Sequence, residues 1–430
     1  MRVLWIVGSF GDGRCGVGDH VFRLWRELCA TLEIGVVARG DSLREAGRLN
    51  QLSLVGLEGM RVHPGISLSG LEPAELLDLP QPVPTDLAGL MAWSPPPADG
   101  PEEEVSTGNR PPALACFGLE SFSFRHWPEI RRVVEEFSPH LVHLFYPARG
   151  FRLSPLANLI PLLVSALGNR PPLVVTLYEL SRAHPLRKLS LVSLVKQADL
   201  LVMVSEDELP WVEKIYGRRG ATVVIPAGAA PLDGVGEEGI TTGATPPRGG
   251  DFILYFGFPS RTKGLGYLIR ALAVLRSWGI ELPLLLGTDP DSRRVRKLVE
   301  LAERLGVDHL VEVVGYLSAY SLRRISSGAM ALVFPFTDGF TTSRSSLLNA
   351  LLLPAPVVTT QREARFPLLS APPRSAEGLA VRLAELWEQS RGEGGGEVRQ
   401  RLIGIQRWLA HRMSIKRVAR AYLATYNSLL

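Results

Sequence analysis

The chain has 430 residues, which at roughly 100–200 residues per domain predicts two or three domains, most simply two. Hydrophobic residues make up 46% and charged residues 21%, values that exclude a disordered or fibrous protein. Forty-seven basic against 43 acidic side chains leave +4, too small an excess to specify nucleic acid. A mildly basic surface does suit an anionic membrane or a phosphorylated ligand. Three cysteines (Cys15, Cys29, Cys116) are too few and too scattered for a disulfide framework or a structural zinc site, so a reducing compartment is expected. The opening, MRVLWIVGSF, has too short an apolar run for a signal-peptide core. No window reaches the roughly 18 uninterrupted apolar residues of a bilayer span. A cytoplasmic protein is expected, with a peripheral position on the inner face of the membrane left open.

In chain order, Val3–Val7 is predicted as a buried strand and Val17–Leu28 as a helix. Ile34–Ala38, Leu141–Phe145, Leu173–Leu177, Leu200–Val204 and Thr222–Ile225 are further strands, mostly separated by helical patterns. That alternation argues for an α/β domain with a parallel sheet. Residues 80–112 break it: PQPVP, SPPPADGPEEE and NRPP leave no period, and a mobile insertion is expected there. A second irregular stretch, about 228–250, is crowded with glycine, threonine and proline and is expected to be a linker, centred on 231–250. Beyond it the alternation restarts. Phe252–Phe256, Pro283–Leu286, Val311–Val314, Ala331–Phe334 and Pro356–Thr359 are predicted strands; Gly264–Ser277, Ser292–Leu305 and Ser345–Leu353 are predicted helices. From about Gln406 one last helix is expected, with Trp408, Ile415, Tyr422 and Leu429 at seven-residue steps on an apolar stripe. It carries five Lys/Arg and no acidic residue. Packing against the body is the simpler reading and a membrane-surface helix the sharper one.

Three loops could carry chemistry. Gly11-Asp-Gly-Arg-Cys-Gly-Val-Gly-Asp-His20 follows a strand and opens a helix. Its glycines let backbone approach a ligand, and a helix N-terminus favours a negative or hydroxyl-rich group. The spacing is not G-x-G-x-x-G, and a tight strand-to-helix turn capped by Asp19 and His20 is the plain alternative. Gly257-Phe-Pro-Ser-Arg-Thr-Lys-Gly264 offers Arg261 and Lys263 to a diphosphate, or else two solvated cations. Phe336-Thr-Asp-Gly-Phe-Thr-Thr-Ser-Arg-Ser-Ser-Leu-Leu-Asn-Ala350 ends a strand and starts a helix near Ser345. Free N–H groups there would receive a phosphate, Asp338 could accept from sugar hydroxyls, and Asn349 lies one turn on. Ordinary capping by Thr342 or Ser343 is the alternative. Asp289-Pro-Asp291 could hold a divalent metal, but Asp291 is better read as a helix cap. His140, His143 and His184 show no metal-pair spacing. Ser205 and Glu206 could face a cleft or cap the next helix.

Taken in order, these motifs resemble a GT-B glycosyltransferase, and within that fold glycosyltransferase family 4. The matching segments are CGVGDHVFRLWREL, SPHLVHLFYP, PPLVVTLYELSRAHPLRKL, QADLLVMVSEDE, VVIPAGAAP, Tyr255-Phe-Gly-Phe with Lys263-Gly, HLVEVVGYL, and PFTDGF with SLLNALLLPAPVVTT. They cover most of the chain outside the proline-rich insertion. The resemblance implies an α/β protein of two Rossmann-like domains (the GT-B fold) facing across a cleft. An acceptor domain would span 1–230, a linker 231–250, and a nucleotide-sugar donor domain 251–404. A last helix, 405–430, would cross back to pack on the first domain. It implies transfer of a hexosyl group, with retention and without a metal, from a nucleoside-diphosphate sugar to a glycan, lipid-linked or small-molecule acceptor. The nucleotide-sugar is then a substrate and no cofactor is needed. Peripheral membrane contact is an open expectation, nucleic acid is not a partner, and cell-envelope polysaccharide synthesis is the usual setting.

Carried over residue by residue, Gly16 and Gly18 match the glycine loop, Lys263 the diphosphate lysine, and Gly315 and Tyr316 the base-reading segment. Asp338 matches the first acid of a carboxylate pair, followed by Gly339 and Phe340. Ser345, Ser346 and Asn349 fall at the helix start on the donor side, Asp19 and His20 on the acceptor side. Three positions depart from the pattern. Phe258 stands where an arginine is common, with Arg261 as a substitute three residues later. Asn349 aligns with the second glutamate after a three-residue insertion, and can still hydrogen-bond a ribose hydroxyl. Tyr178 stands in place of a histidine, and Glu179 beside it is the other candidate for a catalytic role with Asp338 and Lys263. A non-catalytic GT-B member that binds nucleotide, sugar or a partner enzyme is the alternative these departures motivate. Another nucleotide-dependent enzyme on paired Rossmann-like domains, such as an epimerase, is the third reading.

Overall fold

The computed structural model describes residues 1–11, 15–50, 54–55, 71–96, 114–147, 149–151, 154–178, 180, 183–217, 220–231 and 251–430. In chain order the first elements are β1 (Arg2–Val7), α1 (Gly16–Leu28), β2 (Glu33–Arg39), α2 (Gly40–Asn50), β3 (Leu54–Val55), α3 (Leu87–Ala92) and β4 (Leu114–Leu119). They continue with α4 (Trp127–Phe137), β5 (Leu141–Tyr146), α5 (Pro155–Ser165), β6 (Leu173–Leu177), α6 (Pro185–Ser190), α7 (Val192–Gln197), β7 (Leu200–Met203), α8 (Leu209–Tyr216) and β8 (Thr222–Val224). After the linker come β9 (Ile253–Phe256), α9 (Leu265–Ser277), β10 (Leu284–Gly287), α10 (Arg293–Arg304), β11 (Val311–Val313), α11 (Ala319–Gly328), β12 (Ala331–Phe334) and α12 (Ser345–Ala350). The chain ends with β13 (Val357–Thr360), β14 (Leu369–Ala371), α13 (Ala376–Arg391), α14 (Gly395–Arg412) and α15 (Ile415–Asn427).

Two compact units result, counting described residues only: Met1–Asp78, Pro101–Gly228 and Met413–Leu430 in the first, Leu79–Gly100 and Ala229–Arg412 in the second. The first holds an eight-stranded sheet in the order β3-β4-β2-β1-β5-β6-β7-β8, the second a six-stranded sheet in the order β11-β10-β9-β12-β13-β14. Every strand pair is parallel. Parallel sheets are covered on both faces, so their strands are apolar throughout rather than alternating. The run Val3–Val7 is accordingly buried throughout. α1 buries Val21, Leu24, Trp25 and Leu28 on one face, the i, i+3, i+4, i+7 pattern of a helix on a sheet.

Two strands of the first sheet escape the sequence pattern. β4 carries Gly118, whose would-be Cβ lies 3.0 Å from the Gly40 Cα, so the strand gives up side-chain signal for close backbone approach. β3 has only two residues. Of the expected insertion, residues 80–96 are described, and there α3 is capped by Asp86 and buries Leu87 and Leu90 within the second unit. Residues 97–112, and the linker beyond Pro231, lie outside the described residues.

The single last helix expected from Gln406 is two helices. Ser414 breaks it and caps α15, its hydroxyl accepting from the Arg417 N–H. α14 belongs to the second unit and α15 to the first, so the expected boundary at 405 falls instead near Met413. Trp408, Ile415 and Tyr422 are buried, which assigns the stripe to packing. The α10 cap is Ser292 rather than Asp291, while Asp289 accepts from the Asp291 N–H. Among the described residues, no helix is long and apolar enough to cross a membrane.

Within the first unit α15 is held by buried polar contacts. The His143 ring meets the Tyr426 hydroxyl through Nδ1 at 2.6 Å and Thr176 Oγ1 through Nε2 at 2.8 Å, and Thr176 pairs with the Tyr422 hydroxyl at 3.2 Å. Burial holds the His143 pKa well below its ordinary value, so the ring is neutral. Tyr426→Phe should leave His143 Nδ1 unpartnered and cost about 1–3 kcal/mol, read as an earlier urea midpoint for the first unit's transition. An unchanged midpoint would show that α15 is held by apolar packing alone.

Candidate functional site

In the second sheet the chain reverses direction of growth between β9 and β12. Ligands of open parallel sheets collect beyond the strand C-termini at such a switch point. The loops that follow these two strands are the second and third motifs of the sequence.

They meet through Gly264. It ends the short turn Arg261–Lys263 at φ +68°, and a Cβ there would overlap the Pro335 carbonyl oxygen. Only glycine permits both the left-handed backbone and the approach. The Thr337 N–H donates to the Thr262 carbonyl at 3.0 Å and locks the two loops together. This seating directs Lys263 inward. Its Nζ donates to Ser346 Oγ at 2.9 Å and lies 4.9 Å from the Phe336 ring centroid. Arg261, in the same turn, is exposed.

A second cation shares that ring. The Arg344 guanidinium lies 5.0 Å from the Phe336 centroid and donates through Nη2 to both Asp338 oxygens, each at 3.1 Å. The Arg344 and Asp338 side chains are 6% and 12% exposed, so this is a buried, charge-assisted pair. Phe336 itself is buried and stacks on Phe334. Lys263 and Arg344 thus meet at one aromatic ring, Lys263 bonded to Ser346 and Arg344 to Asp338. Arg344 is the residue that the sequence reading missed. Its one visible signal is that it is the lone charge between Gly339 and Asn349.

The other donor-side positions spread around this centre. Gly339 has φ +85° and carries the chain to Phe340, which is buried edge-on against Phe366. Ser345 and Ser346 open α12, a helix of six residues rather than the longer one expected to end at Leu353. Asn349 is buried, and its Oδ1 accepts from the Ala230 N–H at 3.1 Å, so its carbonyl is committed to the chain itself. Gly315, at φ +76°, turns the chain before Tyr316. Tyr316 is 41% exposed and Phe258 51%, and the two rings meet edge-on at 5.5 Å. Phe258, noted in the sequence for what it replaces, is therefore half of an exposed aromatic pair.

In the first unit the remaining positions gather beyond β1 and β6. Gly18 is buried in α1, where a Cβ would stand 2.7 Å from the Ser9 carbonyl oxygen; its role is to let α1 press on the loop after β1. Gly16 is the exposed first residue of α1, and Asp19 sits half-buried in its first turn. His20 is buried and its Nδ1 meets the Ala227 carbonyl oxygen at 2.5 Å. A carbonyl only accepts, so Nδ1 carries the proton. Burial lowers the His20 pKa to about 4, and its Nε2 has no hydrogen-bond partner. Tyr178 meets the His20 ring edge-on at 5.6 Å. Its hydroxyl is also buried without a partner, and burial raises its pKa well above the ordinary value. Neither group is charged near neutrality; each offers one neutral hydrogen-bonding atom, and an imidazole with a pKa of about 4 is a weak base. Glu179 lies outside the described residues.

No protein-family profile matches the sequence, and no curated protein matches it. Solved structures do. The crystal structure of Anabaena HepE in complex with UDP and glucose matches at 14% identity and a TM-score of 0.65, covering 100% of both chains. A glycosyltransferase from Rickettsia africae matches at 14% identity and 0.63, covering 100% of this chain and 98% of that one. Sucrose-phosphate synthase from Thermosynechococcus elongatus matches at 15% and 0.62, covering 100% and 99%. The chain therefore has the GT-B fold of glycosyltransferases over its whole length.

Two expectations follow from this geometry. Asp338→Asn leaves the Arg344 guanidinium buried beside a neutral amide and should destabilise the second unit by about 3 kcal/mol in urea unfolding, with part recovered in Asp338→Asn/Arg344→Met. His20 binds a proton in the unfolded chain below about pH 6.5 but in the folded chain only near pH 4. Its contribution is complete above pH 6.5 and shrinks as pH falls toward 4, by about 1.4 kcal/mol per unit at full slope. The wild type should lose stability over that window faster than His20→Phe; parallel curves would refute the neutral, buried imidazole.

Proposed function

We propose that the chain is a glycosyltransferase of the family 4 type, moving a hexosyl group from a nucleoside-diphosphate sugar to a glycan, lipid-linked or small-molecule acceptor. The observation that carries this reading is the meeting of Lys263, with its partner Ser346, and Arg344 at Phe336, at the switch point of the second sheet. A diphosphate brings the negative charge and acceptor oxygens that two cations and a hydroxyl would hold. The HepE structure, bound to UDP and glucose, supports a nucleotide-sugar as that ligand.

In the transfer, the bond from the anomeric carbon to the diphosphate oxygen breaks and its electron pair leaves with the diphosphate. An acceptor hydroxyl oxygen forms the new bond and gives up its proton to the departing phosphate oxygen. Charge grows on the diphosphate, so Lys263 and Arg344 act where electrostatic stabilisation matters most. Arg344 takes the part expected of Arg261, which is exposed. Asp338 holds Arg344 in place, and the exposed Phe258–Tyr316 pair offers an aromatic platform for the base. Retention of configuration, independence from metal and the absence of a cofactor belong to this proposal and rest on the order of the motifs. So does a setting in the cytoplasm on the route to cell-envelope polysaccharide.

One observation favours a second reading. Both Asp338 oxygens are engaged by Arg344 and the Asn349 carbonyl by Ala230. Such a site could bind nucleotide without transferring sugar. Thermal unfolding with UDP, GDP, ADP and their sugar conjugates separates the cases. One nucleoside diphosphate at a hundredfold excess over its dissociation constant should stabilise by about 2.7 kcal/mol, and Lys263→Ala should abolish the effect. Transfer or hydrolysis of the matching sugar conjugate, lost in the same variant, then separates catalysis from binding. No response to any nucleotide would refute the donor site.

A further inference from the structure

Strands β12, β13 and β14 are parallel neighbours, so the loops that follow them leave the same edge of the second sheet. Each of those loops sends an arginine to the segment 337–339. Arg344, after β12, donates to both Asp338 oxygens. Arg362, after β13, lies against Gly339, where a Cβ would stand 3.2 Å from its backbone nitrogen and 3.6 Å from its Cγ. The Phe340 N–H donates to the Thr360 carbonyl at 2.7 Å and holds these two loops together. Arg374, after β14, donates through Nε to the Thr337 carbonyl at 3.1 Å. Three consecutive residues thus each meet a different arginine.

Two of the three keep their charge available. Arg362 and Arg374 are exposed, and among the described residues neither forms an ion pair. Beyond the Arg374 Nε bond, their guanidinium groups make no hydrogen bond there. Glu363 beside Arg362, and Glu377 in the first turn of α13, are exposed and pair with neither. Arg374 also sits at φ +61°, a left-handed conformation that residues with a side chain rarely adopt. The Asp338 oxygens, expected to take sugar hydroxyls, already accept from Arg344. This end of the site therefore offers donors and positive charge.

We propose that Arg362 and Arg374 receive the carboxylate of an acidic sugar, so that the donor is a nucleoside-diphosphate hexuronate rather than a neutral hexose conjugate. This inference rests on reading the site as one for a nucleotide-sugar. The strand order sets the direction. Tyr316, which meets Phe258, follows β11 on one side of the switch point. Lys263 and Arg344 follow β9 and β12, which border it, and Arg362 and Arg374 follow β13 and β14 on the other side. A base on the aromatic pair and a diphosphate at Lys263 and Arg344 leave the sugar to reach toward the two arginines. Sugar hydroxyls need acceptors as well as donors, whereas a carboxylate needs donors alone. A guanidinium supplies them as a fork matched to its two oxygens.

The test is calorimetric titration of the full chain with UDP, UDP-glucose and UDP-glucuronic acid, and with GDP, GDP-mannose and GDP-mannuronic acid. In the series whose free diphosphate binds, the uronate conjugate should bind at least about tenfold tighter than its neutral counterpart, by a margin that shrinks as salt rises. Arg362→Gln/Arg374→Gln should bring the two conjugates to within about twofold of each other. Both side chains are exposed, so a wild-type melting temperature is expected and serves as the folding control. Should the pair misfold, Arg362→Gln alone carries the test with a loss of preference of at least about threefold. Equal binding of the two conjugates where the free diphosphate binds, or a preference unchanged in the variants, would overturn the proposal and leave the donor site standing. Binding in neither series would also overturn it, and ADP would then show whether the donor site itself stands. Tighter binding of glucose 6-phosphate than of glucose beside UDP, lost in the double variant and without a preference between the conjugates, would give the arginines to a phosphorylated acceptor instead.

Discussion

The approach of Gly264 to the Pro335 carbonyl is the constraint on which the second unit's site depends. It brings the loop after β9 onto the end of β12, and only a residue without a side chain fits. From that seating follow the direction of Lys263, its bond to Ser346 and its place beside Phe336. Arg344 then reaches the same ring from the other loop, steered by Asp338. A pair of cations in so little space repel each other; the Asp338 carboxylate and the face of the ring offset part of that cost.

The two clusters of candidate residues treat buried polar groups differently. In the first unit, His143, Thr176, Tyr422 and Tyr426 satisfy one another and bind α15 to the sheet, whereas His20 Nε2 and the Tyr178 hydroxyl are left without partners. Leaving such groups bare costs free energy, so their retention beyond the β1 end is a site-like feature. At the second unit's site, by contrast, the buried Arg344 is paired with the Asp338 carboxylate.

The parallel strands were plain in the sequence, because a strand buried on both faces is an unbroken apolar run. β1, β6 and β9 needed no tertiary information. β4 was not legible, since Gly118 dilutes the run and the proline-rich stretch adjoins it. The break at Ser414 was hidden because a seven-residue stripe continues through it, although the cap is a serine before a helical pattern. Lys263 could be found by resemblance and by its loop. Arg344 could not, because its role comes from folding back onto Asp338 and Phe336. Asn349 looked available for a ligand, and only the structure shows its carbonyl engaged by Ala230.

The segment from Leu79 to Gly100 counts with the second unit although its neighbours on both sides count with the first, and α15 returns to the first after α14. No single cut in the chain yields either unit whole. A fragment ending near residue 230 would lack the helix that His143 holds and would carry α3 without α14. Recombination that exchanged one half for a foreign one would likewise divide both hydrophobic interiors. An exchange that keeps both interiors intact must therefore carry all of these segments together.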